Sequence, residues 1–325
     1  YAFDVLMQMY ENDGYSQRDA AQCILENNLY GLDIDDRAAQ LAYFAVMMKA
    51  RQYDRRLFSR GLQPHVYAIT ESNDIDAYTR DYFTNNDPKL KTALDSIMSD
   101  LRDAKEYGSI LTVAPVDFAA LYARAEEVQD DISLYRESAL NTILPLIRVA
   151  EVLAQQYDVV VTNPPYMGSS NMDARLSEFV KKHYPDSKSD LFAVFIEQCN
   201  RLTNHTGFFS MITQQSFLFL SGLESLRSKL CNNNIMVNAL HMGLGAFGTD
   251  FGTVAFVIRS VKINLYLCQY YYLGSEKAVD SKEQLFLSGN APIYLHSFED
   301  FTHLPNQTYS YMIDYETLSR FNNPP

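Results

Sequence analysis

With 325 residues, 47% of them hydrophobic, and a formal charge of −13, the chain holds enough apolar material for a full core and a second, smaller region. It shows no apolar run of membrane-spanning length and no basic start followed by an apolar signal stretch, so it is expected to be a cytoplasmic globular protein with no membrane partner. Cys23, Cys199, Cys231 and Cys268 are widely spaced; neither a metal site nor a disulfide framework is indicated, and buried free thiols are expected.

Along the chain, residues 1–58 read as helix, helix, strand, helix. Apolar residues recur at helical spacing from Tyr1 to Tyr10, Ser16 caps a second helix running to about Asn27, and Leu29 to Ile34 is a short strand. Asp35 or Asp36 opens the long helix through Met47, Met48 and Arg51. His65 to Thr70 is another strand. The next 85 or so residues, about 71–155, are charged, rich in helix formers and poor in strand pattern, so a helical insertion is expected. Tyr157 to Thr162 resumes the sheet, and a helix opened by Asp190 spans Leu191 to Leu202. Gly207 to Thr213 reads as a strand, Phe217 to Leu230 as a helix, and Ile235 to Met242 with Thr253 to Arg259 as a final antiparallel pair. Strand and helix alternate, which predicts an α/β, doubly wound sheet. After Lys262 the pattern changes to short β-like runs, Asn264 to Tyr272 and Ala291 to His296, and the sequence closes on Phe321-Asn322-Asn323-Pro324-Pro325 without a capped boundary.

The most informative run is Asn163-Pro164-Pro165-Tyr166, directly after the apolar strand. With about 5% Pro in average usage, a match to this pattern in a chain this long arises by chance on the order of one time in a hundred. A strand ending at the carboxyl edge of an α/β sheet and turning through two prolines fixes an amide oxygen, a main-chain carbonyl and an aromatic ring at one point. That set suits a planar base carrying an exocyclic amine. Such an amine is a poor nucleophile because its lone pair is delocalised. Accepting one N–H at the Asn163 oxygen and one at the Pro164 carbonyl frees the lone pair for attack on the methyl group of S-adenosylmethionine. Tyr166 is expected to stack on the base, which a duplex must flip out at a cost of roughly a few kcal/mol. The plain alternative is a rigid proline turn with Tyr166 as packing.

A second constellation is Tyr30-Gly31-Leu32-Asp33-Ile34-Asp35-Asp36, a strand ending in an acid. Asp33 is placed to accept ribose hydroxyls of an adenosine cofactor, while Asp35 and Asp36 read as helix caps; the alternative makes all three acids caps. The pattern Gly243-x-Gly245-x-x-Gly248 leads into a strand rather than a helix, so it reads as a loop. Phe247 in that loop either faces the base opposite Tyr166 or packs between strands. The charge is awkward for a DNA partner. Lys181, Lys182, His183 and Lys188 form a local basic cluster that is either a phosphate contact or an ordinary solvated helix end.

Taken together, these residues resemble the gamma-group N6-adenine DNA methyltransferases, and more narrowly the family of large adenine-specific methyltransferases of BREX phage-defence systems. The resemblance covers most of the chain and is carried by Asn28 to Arg51, Pro64 to Ser72, the segment around Asn163 and the stretch near Leu304-Pro305-Asn306. It implies S-adenosylmethionine bound through Asp33 and Ile34, with Glu71 and Ser72 near its adenine. It implies catalysis at Asn163, Pro164, Pro165 and Tyr166, and a stack on the flipped adenine from Phe247 or Phe251. The implied partners are double-stranded DNA and other phage-defence proteins. The family's glycine-rich loop should come just before Tyr1. The chain is therefore expected to be a fragment: an incomplete methyltransferase domain at 1–262, with the insertion at 71–155, and a connector or start of a target-recognition region at 263–325. Its sheet should be interrupted or repaired by unusual pairing, and cofactor binding weak or absent. Methylation of RNA bases or protein glutamine, or a non-catalytic role in a defence complex, are the competing readings.

Overall fold

The computed structural model describes residues 1–247 and 251–322, and the chain divides into two compact units, Tyr1–Gln155 and Gln156–Pro325. In the first, α1 (Ala2–Asn12) and α2 (Gln17–Cys23), which runs on through a π-turn, precede β1 (Tyr30–Asp33), α3 (Asp36–Tyr53) and β2 (His65–Ala68). β1 and β2 pair in parallel from Tyr30 opposite His65 to Asp33 opposite Ala68, so α3 is the crossover of a βαβ unit. Phe3, Met7, Ala20, Ala21, Ile24, Leu25, Met47 and Ala50 recur at helical spacing on α1, α2 and its π-turn, and α3, and close one core.

The stretch 71–155 is helical and carries no strand: α4 (Ala77–Thr84), α5 (Pro88–Asp100), α6 (Ala104–Tyr107), α7 (Phe118–Gln129) and α8 (Arg136–Ala154). Phe83, Leu94, Ile97, Leu121, Ile143 and Ile147 bury its interior.

The second unit runs β3 (Tyr157–Thr162), α9 (Ala174–His183), α10 (Leu191–Leu202), β4 (Thr203–Gln214), α11 (Glu224–Asn233), β5 (Ile235–Gly243), β6 (Thr253–Arg259), β7 (Cys268–Tyr272), α12 (Val279–Leu287), β8 (Ile293–His296) and α13 (Tyr315–Asn322). Its sheet has the order β3-β4-β6-β5-β7-β8, parallel at β3/β4 and β5/β7 and antiparallel at the other pairs. The architecture is thus α/β with a mixed sheet.

The described residues form two sheets rather than one, with β1 and β2 pairing only with each other there, which is the interruption expected of the doubly wound sheet. Among the described residues β3 is an edge strand: Val160 packs on the core while Val159 and Val161 are 60% and 70% exposed, so this apolar run has one bare face. In addition, the β-like runs after Lys262 belong to the sheet of the second unit, with β7 beside β5 and β8 beside β7. The helix expected from Phe217 begins only at Glu224, after two short 3₁₀ turns.

Asp35, Asp76, Asp87, Asp117, Asp173 and Asp190 each accept main-chain N–H groups in the first turn of the helix they precede. An acid there also meets the positive end of the helix dipole. Part of the −13 charge is therefore helix-starting structure.

Candidate active site

β3 delivers Asn163 to the carboxyl end of the sheet, where it is exposed, while Pro164 is buried and Tyr166 half-buried. The Tyr166 hydroxyl donates to the Ile212 carbonyl of β4 at 3.0 Å and lies 3.4 Å from Asn163 Oδ1. A single hydroxyl proton serves the shorter contact, so the ring is fastened to the neighbouring strand with the Asn163 oxygen beside it. Burial raises the Tyr166 phenol above its ordinary value, keeping it a neutral donor. Phe251 meets the Tyr166 ring edge-on at 5.3 Å between centroids, and Phe192 does so at 6.2 Å.

The segment after Tyr166 is tied to the start of α10. Met167 N–H donates to Asp190 Oδ1 at 3.2 Å, and the Leu191 N–H returns a bond to the Met167 carbonyl at 2.9 Å. Burial pushes the Asp190 carboxyl up, against the main-chain N–H groups that favour its charged form. Sequence reasoning found Asp190 as a helix cap; its grip on the motif depends on a contact 23 residues away, which no local pattern shows.

Of the two phenylalanines considered for the base stack, Phe251 is the one beside Tyr166. Phe247 is 57% exposed and makes no described contact with Tyr166. Gly243 and Gly245 adopt left-handed φ values of 66° and 83°, and a β-carbon on Gly243 would lie 2.9 Å from Gly274 Cα. Both glycines serve the turn between strands; Gly248 lies outside the described residues, as do residues 323–325.

In the first unit, Asp33 is exposed at the carboxyl end of β1 and its Oδ1 accepts the Asp35 N–H at 2.9 Å. Asp35 is the cap of α3, bonded to Arg37 and Ala38 N–H. Asp36 pairs with Lys105 Nζ at 2.6 Å. The Lys105 main-chain N–H donates to Glu71 Oε2 at 3.3 Å, and Gly108 lies close enough to Ile34 that a β-carbon there would be 3.2 Å from Ile34 Cδ1. Asp33, Ile34 and Glu71 therefore share one edge, drawn together by residues of the helical insertion. Ser72 does not join them: it is 6% exposed and its hydroxyl donates to the Met98 carbonyl at 2.6 Å.

Lys181, Lys182 and His183 form the last turn of α9, where cations complement the helix dipole. Burial, then the charges of Lys182 and Arg201, hold the His183 imidazole below its ordinary value. Among the described residues no helix is long and apolar enough to cross a membrane.

The described residues thus place an acid at the end of the first strand of a βαβ unit and a proline-bounded asparagine after a strand of an α/β sheet. The chain belongs to the family described as Eco57I restriction-modification methylase, whose model matches residues 27–247. It is 39% identical over 298 residues to the adenine-specific methyltransferase PglX of Lacticaseibacillus casei (strain Zhang), covering 89% of this chain and 25% of that protein. It is 37% identical over 353 residues to the adenine-specific methyltransferase BrxX of Escherichia coli O9:H4 (strain HS), covering 99% and 29%. The chain thus spans about a quarter of the length of these relatives. Among solved structures it is similar to a nuclease-deletion mutant of the Type ISP restriction-modification enzyme LlaGI in complex with a DNA substrate mimic. That match has a TM-score of 0.53 at 12% identity, over 98% of this chain and 24% of the other. A likeness at this identity speaks for the fold alone.

Proposed function

We propose that the protein to which this chain belongs is a site-specific DNA methyltransferase acting on adenine N6 in phage defence, with S-adenosylmethionine as donor. The observation that carries the reading is Asn163, exposed at the end of β3 with its side-chain oxygen beside the fastened Tyr166. Relatives at 37–39% identity named adenine-specific methyltransferases support the choice of base.

When bound, S-adenosylmethionine supplies an electrophilic methyl group on a sulfonium. The residues of the first unit fit such a group: Asp33 commits one oxygen to the turn at Asp35, which leaves a carboxylate oxygen at an exposed strand end for a ribose diol. Ile34 and Glu71 line the same edge. Asn163 Oδ1 and the Pro164 carbonyl each accept one N–H of the flipped adenine, which frees the lone pair of the amine nitrogen for attack on the methyl group. Tyr166 and Phe251 form the aromatic walls, and Pro165 stiffens the turn. Positioning and fixed acceptors do the work that a general base does elsewhere. With a charge of −13 on this chain, we assign the main phosphate grip to other parts of the protein.

The test is Asn163→Ala in the full-length protein, with transfer of labelled methyl groups from S-adenosylmethionine to unmethylated DNA as readout. Loss of one fixed polar partner of the reacting group is expected to slow transfer by about 100-fold or more, with affinity for S-adenosylmethionine unchanged. A variant that methylates at the wild-type rate contradicts the mechanism.

A further inference from the structure

Phe251 reaches Tyr166 from the end of a loop, yet the residue that follows it is held with little freedom. The Gly252 carbonyl accepts the Gln215 N–H at 2.8 Å, and a β-carbon built on Gly252 would sit 1.9 Å from Gln215 Oε1 and 2.2 Å from its Cδ. The Gln215 amide therefore occupies the space that any side chain at 252 would need. Glycine at the mouth of a strand is explained by this close approach.

The amide is itself oriented. Gln215 Oε1 accepts from His241 Nε2 at 2.8 Å, and His241 Nδ1 is bonded to the Tyr311 hydroxyl. With Nε2 donating, Nδ1 is the acceptor, which defines one neutral tautomer. Tyr311 stacks on the fully buried Tyr270 at 4.7 Å and 4°. The contacts thus run without a gap from the chain after Lys262, through β5 and the turn after β4, to the residue beside Phe251.

We propose that Gln215, held by His241 and Tyr311, is a positioning residue that fixes Phe251 against Tyr166 and so sets the width of the acceptor pocket. Gln215 touches neither donor nor acceptor; it acts through Gly252. The assignment of that pocket to a base rests on the methyltransferase reading, whereas the positioning itself does not.

The 325-residue chain contains no Trp, so Phe251→Trp places a single fluorescent reporter beside Tyr166. In this background, adding Gln215→Ala is expected to raise acrylamide quenching of the reporter at least about twofold, with the far-ultraviolet melting curve retained. Gln215→Glu keeps an oxygen opposite His241 Nε2–H and is expected to restore low quenching. Gly252→Ala leaves the amide in place chemically but displaces it, and should raise quenching as Gln215→Ala does; it also decides the matter if Gln215→Ala fails to fold. Quenching unchanged in these variants overturns the proposal. If quenching moves as expected while the full-length wild-type protein leaves DNA unmethylated, the positioning stands and the functional reading falls.

Discussion

At the scale of single residues, His241 carries the clearest electrostatic consequence. Burial, with a smaller contribution from the Lys282 ammonium, pushes its imidazole down to about 4. The groups that face it are Gln215, Tyr311, Tyr272 and Lys282, and none is a carboxylate that would favour the charged ring. Its folded value lies below the ordinary 6.5, so above that pH the ring is neutral in both states and its contribution to stability is complete. As pH falls from about 6.5 toward 4 the unfolded chain takes up a proton that the folded chain refuses, and stability is lost. The ring is partly accessible, so the loss is on the order of 2 kcal/mol rather than the full value of the shift. Urea unfolding at pH 7.5 and 4.5 checks this: the drop should be larger in the wild type than in His241→Asn, which cannot titrate. Equal drops contradict it.

At the scale of elements, the segment Pro305–Gln307 is held to the turn after β4 by Arg227, which is fully buried. Its guanidinium donates to the carbonyls of Phe217 at 3.1 Å, Asn306 at 2.6 Å and Gln307 at 3.0 Å. Asn306 and Gln307 turn these carbonyls inward through left-handed φ values of 55° and 49°. Arg227→Leu leaves the carbonyls without donors and the two strained residues without support; a loss of about 3–5 kcal/mol is expected, read as a lower urea midpoint for the 325-residue chain. A change under about 1 kcal/mol would mean the clamp is replaceable by water. The contrast between this clamp and the helix starts shows what a sequence makes legible. Asp35 and Asp190 could be read as caps because a cap is a local pattern, and β3 because three valines follow one another. The placement of Asp33 and Asn163 at strand ends is legible because each closes a short apolar run. The roles of Gln215 and Arg227 depend on contacts 26 and 80 residues away. No periodicity encodes these, which is also why β7 and β8 read as a separate region.

At the scale of the whole molecule, the two constellations fall in different compact units: Asp33, Ile34 and Glu71 in the first, Asn163 to Tyr166 in the second. The chain spans about a quarter of its relatives' length, so the proposed reaction is to be tested on the full-length protein. The most direct measurement is the identity of the product. The full-length protein is incubated with S-adenosylmethionine and, in parallel, with unmethylated DNA, with RNA and with a protein extract, and the digests are analysed by mass spectrometry. The account predicts N6-methyladenine in the DNA digest, absent with Asn163→Ala. Methyl groups confined to RNA bases or to protein glutamine, or no transfer to any acceptor, would contradict it.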